Sequence, residues 1–390
     1  MASYVSSNAN RFYTALESAY GEVAPVQAKN RIPALKLAIQ QRQETAERKD
    51  KTGSRTFGGV PTGGRRRTNF ELRTYLTSWQ KGAGDPGYGP LFQAALGAAP
   101  LQFSGAATAS STSAGRLGFA AQHGLQEGQA VAFAGEIRFV AAIVDANVIQ
   151  LNAPFTFTPA VGEAIAPTVT YLPATDLPSV SVFDYWSPGT AVQRLLCGAA
   201  VDQMQIQVNG DYHEIHFSGL AQDVLDTGSF TGGAGQLGSF PEEPALETFD
   251  YSIVPGNLGQ AWLGTSSTQF FTITGASVVL KNELETRSRE FGSSFPRALS
   301  PGKRSVTAAF DLYTQNDDAT TGLYQAARQQ SPISVMFQLG ELDGQVMGVY
   351  LKSVIPEVPE FDDGENRLQW RFRASRAQGT IDDEIAVAFA

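Results

Sequence analysis

Four short patterns occur twice along this 390-residue chain, in the same order, and this duplication constrains the fold more than any other feature. Phe70-Glu71-Leu72 is matched by Phe310-Asp311-Leu312, an offset of 310 − 70 = 240. LFQAA (Leu91 to Ala95) is matched by LYQAA (Leu323 to Ala327), an offset of 232. SVSVF ending at Phe183 is matched by ISVMF ending at Phe337, an offset of 154. That last offset also sets Asn209-Gly210 on Asp363-Gly364, two dipeptides that favour tight hairpins. The first pattern of each copy ends a long polar stretch and enters an alternating strand; in the second copy Val306, Ala308, Phe310 and Leu312 form one face. The pentamers follow glycine-containing turns and consist of helix formers, which predicts short flanking helices at Leu91 and Phe92 and at Leu323 and Tyr324. Strands follow both hairpin dipeptides, YHEIHF and RLQWRF. In the latter, Leu368, Trp370 and Phe372 alternate with Arg367, Gln369, Arg371 and Arg373. A mainly β chain with two tandem domains is the expectation.

The fall in offset from 232 to 154 means that the first copy carries 232 − 154 = 78 extra residues after its helix. This predicts a first domain made of residues 1–99 and 178–245, a small inserted β domain at 100–177, and a second domain at 246–390. The insert opens with SGAATASSTSAG, a composition expected of a flexible connection, and continues with strand-like QAVAF, EIRFVAAIV and VIQL. The glycine-rich TGGAGQLGSF near Gly232 is the expected linker between the two copies.

Catalytic constellations are missing from the sequence. Of the three histidines, His213 and His216 lie three apart on a strand, so they face opposite sides and cannot chelate one ion. HEIH is not HExxH. Ser300 to Ser305 (SPGKRS) lacks a phosphate-binding loop's first glycine, with Arg297 in its place, and Arg304 follows the lysine. The acidic pairs Asp362-Asp363 and Asp382-Asp383 are adjacent rather than opposed across a cleft. The single cysteine, Cys197, sits in apolar LLCGAA and reads as a small buried residue. No apolar run is long enough to span a bilayer. The expectation is therefore no enzyme, no cofactor, no metal and no membrane binding, with assembly in a cytoplasm.

Charge singles out two loops. The chain carries a net charge of −9, which argues against tight wrapping of DNA. Residues 42–72 nevertheless hold eight Lys or Arg against four Asp or Glu, and residues 282–312 hold five against four. Long loops without an apolar pattern are uncommon inside compact domains and tend to serve a function. Both copies have one at the same place, so the basic loop is expected to meet an acidic surface of another copy. The candidate contact residues are Arg48, Lys49, Lys51, Arg55, Arg65, Arg66 and Arg67 in the first loop. In the second they are Arg287, Arg289, Arg297, Lys303 and Arg304.

FYTALESAYGEV (Phe12 to Val23), GYGPLFQAALGA and the ending GTIDDEIAVAFA resemble the tail tube (major tail) proteins of long-tailed bacteriophages. The resemblance covers most of both copies but not the insert. It implies a β-sandwich with one flanking helix and a long loop, whose inner sheets join around an axis into a barrel with an electronegative lumen. It also implies that the loops at 42–68 and 282–306 stack one ring on the next, and that the insert projects outward. Two domains per chain would give a homotrimeric ring of pseudo-sixfold symmetry. Its partners would be further copies of itself, the terminator, tip and tape-measure proteins, and double-stranded DNA in transit, all within the virion. The alternative is a tail-tip, baseplate or decoration protein acting as a binding module.

Overall fold

The computed structural model describes residues 4–45, 50–51, 53–56, 59, 64–78, 85–246 and 251–390. Its first unit contains β1 (Asn10–Leu16), β2 (Ala34–Gln43), β3 (Arg66–Tyr75) and α1 (Gly89–Leu96). It resumes with β4 (Val180–Trp186), β5 (Arg194–Val208), β6 (Glu214–Ala221) and β7 (Asp223–Asp226). The second unit opens with β8 (Gly259–Gly264), β9 (Ile273–Lys281), β10 (Ser305–Tyr313) and α2 (Asp318–Gln329). It ends with β11 (Ile333–Leu339), β12 (Met347–Ile355), β13 (Glu360–Asp362), β14 (Gln369–Ala377) and β15 (Ala386–Phe389). The chain is mainly β, as expected.

Each unit is a sandwich of two antiparallel sheets. In the first, β1, β4, the start of β5 and β7 form the outer sheet, and β2, β3, β6 and the rest of β5 form the inner one. In the second, β8, β11, β12 and β15 are outer and β9, β10, β14 and β13 are inner. Period-two alternation fixes the faces. In β3, Thr68, Phe70, Leu72 and Thr74 turn into the core while Asn69, Glu71 and Arg73 turn out. β5 crosses between sheets by bending at Gly198, whose φ of 61° suits glycine and where a Cβ would lie 2.7 Å from that of Gln222. Its counterpart is broken by Pro356 and Pro359 into β12 and β13, because proline cannot donate to a central ladder.

The paired patterns fall on corresponding elements, but the sequence offsets miss the register. Phe217 lies opposite Leu72, and Phe372 lies opposite Phe310. Leu72 therefore corresponds to Phe310, an offset of 310 − 72 = 238 rather than 240. Bulges at the β4–β5 and β11–β12 pairings likewise equate Val182 with Val335 and Leu196 with Leu351, offsets of 153 and 155 rather than 154. A one-residue error exchanges faces. Phe183 accordingly packs in an outer cluster with Tyr13 and Tyr185, whereas Phe337 lies in the central core.

The inserted residues are not flexibly tethered, in contrast to the expectation from their composition. Ala106–Ala107 pairs with Ala164–Ile165, and Thr108 Oγ1 donates to Glu163 O (3.2 Å), so the Ser/Thr/Ala-rich stretch is held. Strands Arg116–Gly118, Val148–Leu151, Glu136–Asp145 and Ala130–Phe133 form a separate sheet over a small core that includes Phe119, Val140 and Phe155. Thr168–Tyr171 pairs with β15, so the stem of the insert extends the outer sheet of the second unit. Ala130, Ile137, Phe139 and Ala153 then pack on Trp262, Met336, Tyr350 and Ala388. Burial of this apolar face outweighs the flexibility of the small-residue connection.

The segment between the units behaves similarly. Phe230, Ala234, Leu237 and Phe240 cover Tyr13, Phe183, Tyr185, Leu195 and Cys197 on the outer face of the first unit. Burial pushes the Cys197 thiol up to about 12.

Candidate assembly interface

The two units meet through their inner sheets. Gln203–Val208 of β5 pairs with Ala276–Lys281 of β9 over six residue pairs, so eight strands run continuously in the order β2-β3-β6-β5-β9-β10-β14-β13. Met204 lies opposite Leu280 and Ile206 opposite Val278, and all four side chains are fully buried. Buried Asn282 fastens the end of the seam, its Nδ2 donating to Ala95 O (2.9 Å) and Val201 O (3.0 Å). Leu284 N donates to Asp202 Oδ1 (2.7 Å). These bonds satisfy main-chain groups that would otherwise be stranded where two cores merge.

Among the described residues, no strand pairs with the outer edge of β2 or of β13. Such edges carry free main-chain donors and acceptors. At β13, Phe361 is 56% exposed although its ring stacks on Trp370 (5.3 Å, 22°) and approaches Tyr324 (6.0 Å). At β2, Leu35, Lys36 and the run Gln40–Gln43 are exposed.

The inner sheet's solvent face is mostly polar. Lys36, Arg42, Arg67, Arg73, Lys281, Arg371, Arg373 and Arg376 share it with Glu71, Glu214, Asp311, Glu360 and Asp362. Many of these charges are paired: Arg73 with Glu71 (2.9 Å), Arg371 with Asp362, and Arg373 with Glu360 (3.5 Å) and Asp311 (3.8 Å). His216 Nε2 is 2.9 Å from Glu214, while His213 is buried with its Nε2 3.1 Å from Leu258 O, so the two histidines serve separate sites.

The two basic loops lie side by side at one end of this sheet. Arg66 N donates to Ser294 O (2.8 Å), and the Arg66 guanidinium sits 5.1 Å over the Phe295 ring and 3.9 Å from Asp223. Arg65 Nη2 donates to Arg289 O (3.3 Å). Arg67 instead stands on the polar sheet face, opposite Arg42. Arg287 and Arg297 both pair with Glu290 of their own loop. Arg304 is bound to Asp382, Glu384 and Ala174 O (2.8 Å) within the chain, so it is committed to tying its loop to the C-terminal segment of its own unit and to the end of the insert. Arg48 and Lys49 lie outside the described residues. Lys51, Arg55, Arg289 and Lys303 are exposed, as is the whole Phe291 side chain at the tip of the second loop.

The helices are not equivalent in their surroundings. Leu91 and Phe92 are fully buried, and the Phe92 ring touches Phe217 of the first unit and Phe389 of the second (5.3 and 5.1 Å). α1 is thus enclosed rather than flanking. α2 keeps one side in solvent, with Leu323 buried and Tyr324 partly so. Sequence reasoning singled out neither edge strand. The signal for β13 was Pro356 and Pro359 ahead of Glu-Phe-Asp, a proline-protected strand with one apolar residue between two carboxylates.

No protein-family model and no curated protein matches this chain. Among solved structures it is similar to a chain of the SPP1 tail tube determined by solid-state NMR and cryo-EM. That match has a TM-score of 0.27 and 18% identity, and covers 33% of this chain and 81% of the other.

Proposed function

We propose that this chain is a structural protein that closes into rings and stacks them into the tail tube of a long-tailed bacteriophage, without catalysing a reaction. One observation carries the proposal: the two units join edge to edge through β5 and β9, and the same continuous sheet ends on two unpaired edges, β2 and β13. A subunit with two different sticky edges adds head to tail, and head-to-tail addition ends in a closed ring when the rotation permits. Three chains of two units each give the pseudo-sixfold ring expected from the tandem copies. Closure also removes the exposed edges that would otherwise aggregate.

In such a ring the polar face of the inner sheet turns toward the axis, where DNA passes. Eight Lys and Arg against five Asp and Glu make this face mixed in sign, which departs from the electronegative lumen of the resembled family. The paired loops, at one end of the sheet, are the surfaces for stacking, with Phe291, Arg289 and Lys303 exposed on them. The protein's partners are then its own copies and, at the ends of the tube, other tail proteins, and its place is the virion.

Electron microscopy and mass photometry of the purified chain test this. Rings of three times 41.7 kDa and their stacks are expected. Single particles at every concentration would overturn the proposal and favour a tip or decoration role.

A further inference from the structure

The seam inside the chain fixes how two chains would meet. In the first unit Gln207 of β5 lies opposite Glu214, three residues before Phe217; in the second, Asp362 of β13 lies opposite Gln369, three residues before Phe372. Asp362, Phe361 and Glu360 therefore stand where Gln207, Ile206 and Gln205 stand. The other edge is equated by a bulge present in both units. Ala34 and Lys36 face Thr74 and Arg73, and Ile273 and Gly275 face Leu312 and Asp311. Ala38, Ile39 and Gln40 of β2 thus stand where Ser277, Val278 and Val279 of β9 stand. Within the chain, Gln207, Ile206 and Gln205 lie opposite those three residues of β9.

We infer that β13 of one chain pairs antiparallel with β2 of the next, with Asp362 opposite Ala38, Phe361 opposite Ile39 and Glu360 opposite Gln40. This rests on the ring-forming role proposed above and specifies its contact. Side-chain chemistry supports the register independently. Ile206 and Val278 are fully buried at the internal seam, whereas their counterparts Phe361, which is 56% exposed, and Ile39, which is partly exposed, would be covered to the same extent only when chains meet. On the polar face the same register puts Asp362 diagonal to Lys36 and Glu360 diagonal to Arg42, positions within reach of long side chains. The internal seam has no such complementary charges, since Gln207 and Gln205 occupy the corresponding sites. The seam between chains is also shorter. Pro359 and Pro356 precede β13 and leave three paired residues where the internal seam has six.

Paired cysteines in the full-length chain test the register. Residues directly opposite on antiparallel strands bring their Cα atoms to about 4.5–5.5 Å, within disulfide range, while those two residues off do not. Ile39→Cys with Phe361→Cys should give an interchain disulfide on mild oxidation, resolved as covalent trimers under denaturing electrophoresis. Gln41→Cys with Phe361→Cys should form it at least about tenfold more slowly, given the longer reach between diagonal positions. If rings are seen by microscopy but the Gln41 pair links faster, or the Ile39 pair does not link, the register is wrong while the ring-forming role stands. If the unmodified chain forms no rings, the role and the register both fail. As a second measurement that spares the core, Lys36→Glu with Arg42→Glu should lower the ring fraction about tenfold at low salt, with less effect at high salt. An unchanged ring fraction in this correctly folded variant would overturn the charge pairing and with it the register.

Discussion

Arg138 shows how a single residue fixes the relation between insert and second unit. Its side chain is fully buried, with Nε donating to Pro154 O (2.8 Å), Nη1 to Gln338 Oε1 (3.0 Å) and Nη2 to Gln260 Oε1 (2.8 Å) and Glu136 (2.8 Å). The guanidinium also lies 5.1 Å over the Trp262 ring. Burial pulls its pKa down to about 10, against the attraction of Glu136, so it remains charged near neutrality. Removing one member of a buried pair of this kind costs about 3–5 kcal/mol, because the other is left unsatisfied. Arg138→Ala should therefore lower the melting temperature by several degrees and expose the insert to limited proteolysis. Arg138→Lys should not rescue it, since an ammonium lacks the planar fork. Nothing in the sequence marked this residue. In EIRFV an arginine reads as the outward member of an alternating strand, and Gln338 lies 200 residues away.

At the scale of elements, the order of strands and helices was legible and the register was not. Paired phenylalanines drew Phe183 onto Phe337, but a bulge at each β-hairpin puts one in an outer cluster and the other in the core. Bulges come from local packing and leave no compositional trace, so periodicity gives two faces without saying which is which. The linker was legible only as glycine-rich, although it forms a strap whose Glu243 accepts hydrogen bonds from Arg11 and from Tyr13 Oη (3.0 Å). Burial alone would raise the Glu243 pKa, but those two bonds outweigh it and hold the carboxyl below its usual value. A carboxylate with a lowered folded pKa stabilises above its unfolded pKa, and that stabilisation is lost as pH falls through the folded value. Protease sensitivity of residues 227–246 should thus rise on acidification below the usual carboxylate range, and Glu243→Gln should flatten that response. At β13, Pro359→Met, which copies Met204, should restore a donor and tighten ring association by about 1 kcal/mol. Dilution followed by mass photometry would read this as slower loss of rings.

For the whole molecule, the sequence divided the chain into two copies and an insert, and the spatial relation among them came only with the structure. The outer faces of the two units are covered by different material: the strap lies on the first and the insert on the second. Their inner sheets merge into one. The copies are thus alike where they meet each other and unlike where they face outward. That asymmetry was not readable, because the covering residues Phe139 and Phe240 are ordinary apolar positions in segments that look like a free module and a free linker. The fifteen-residue β5, unbroken where its counterpart is split, has a consequence for assembly. In the proposed ring of three chains, half of the joints would arrive already made, held by a covalent chain and a fused core. Gathering three bodies rather than six forfeits translational and rotational freedom twice instead of five times, and each such loss costs at least about 4 kcal/mol at the standard state. In the proposed annulus the remaining joints can therefore be short, individually weak and correctable without preventing closure.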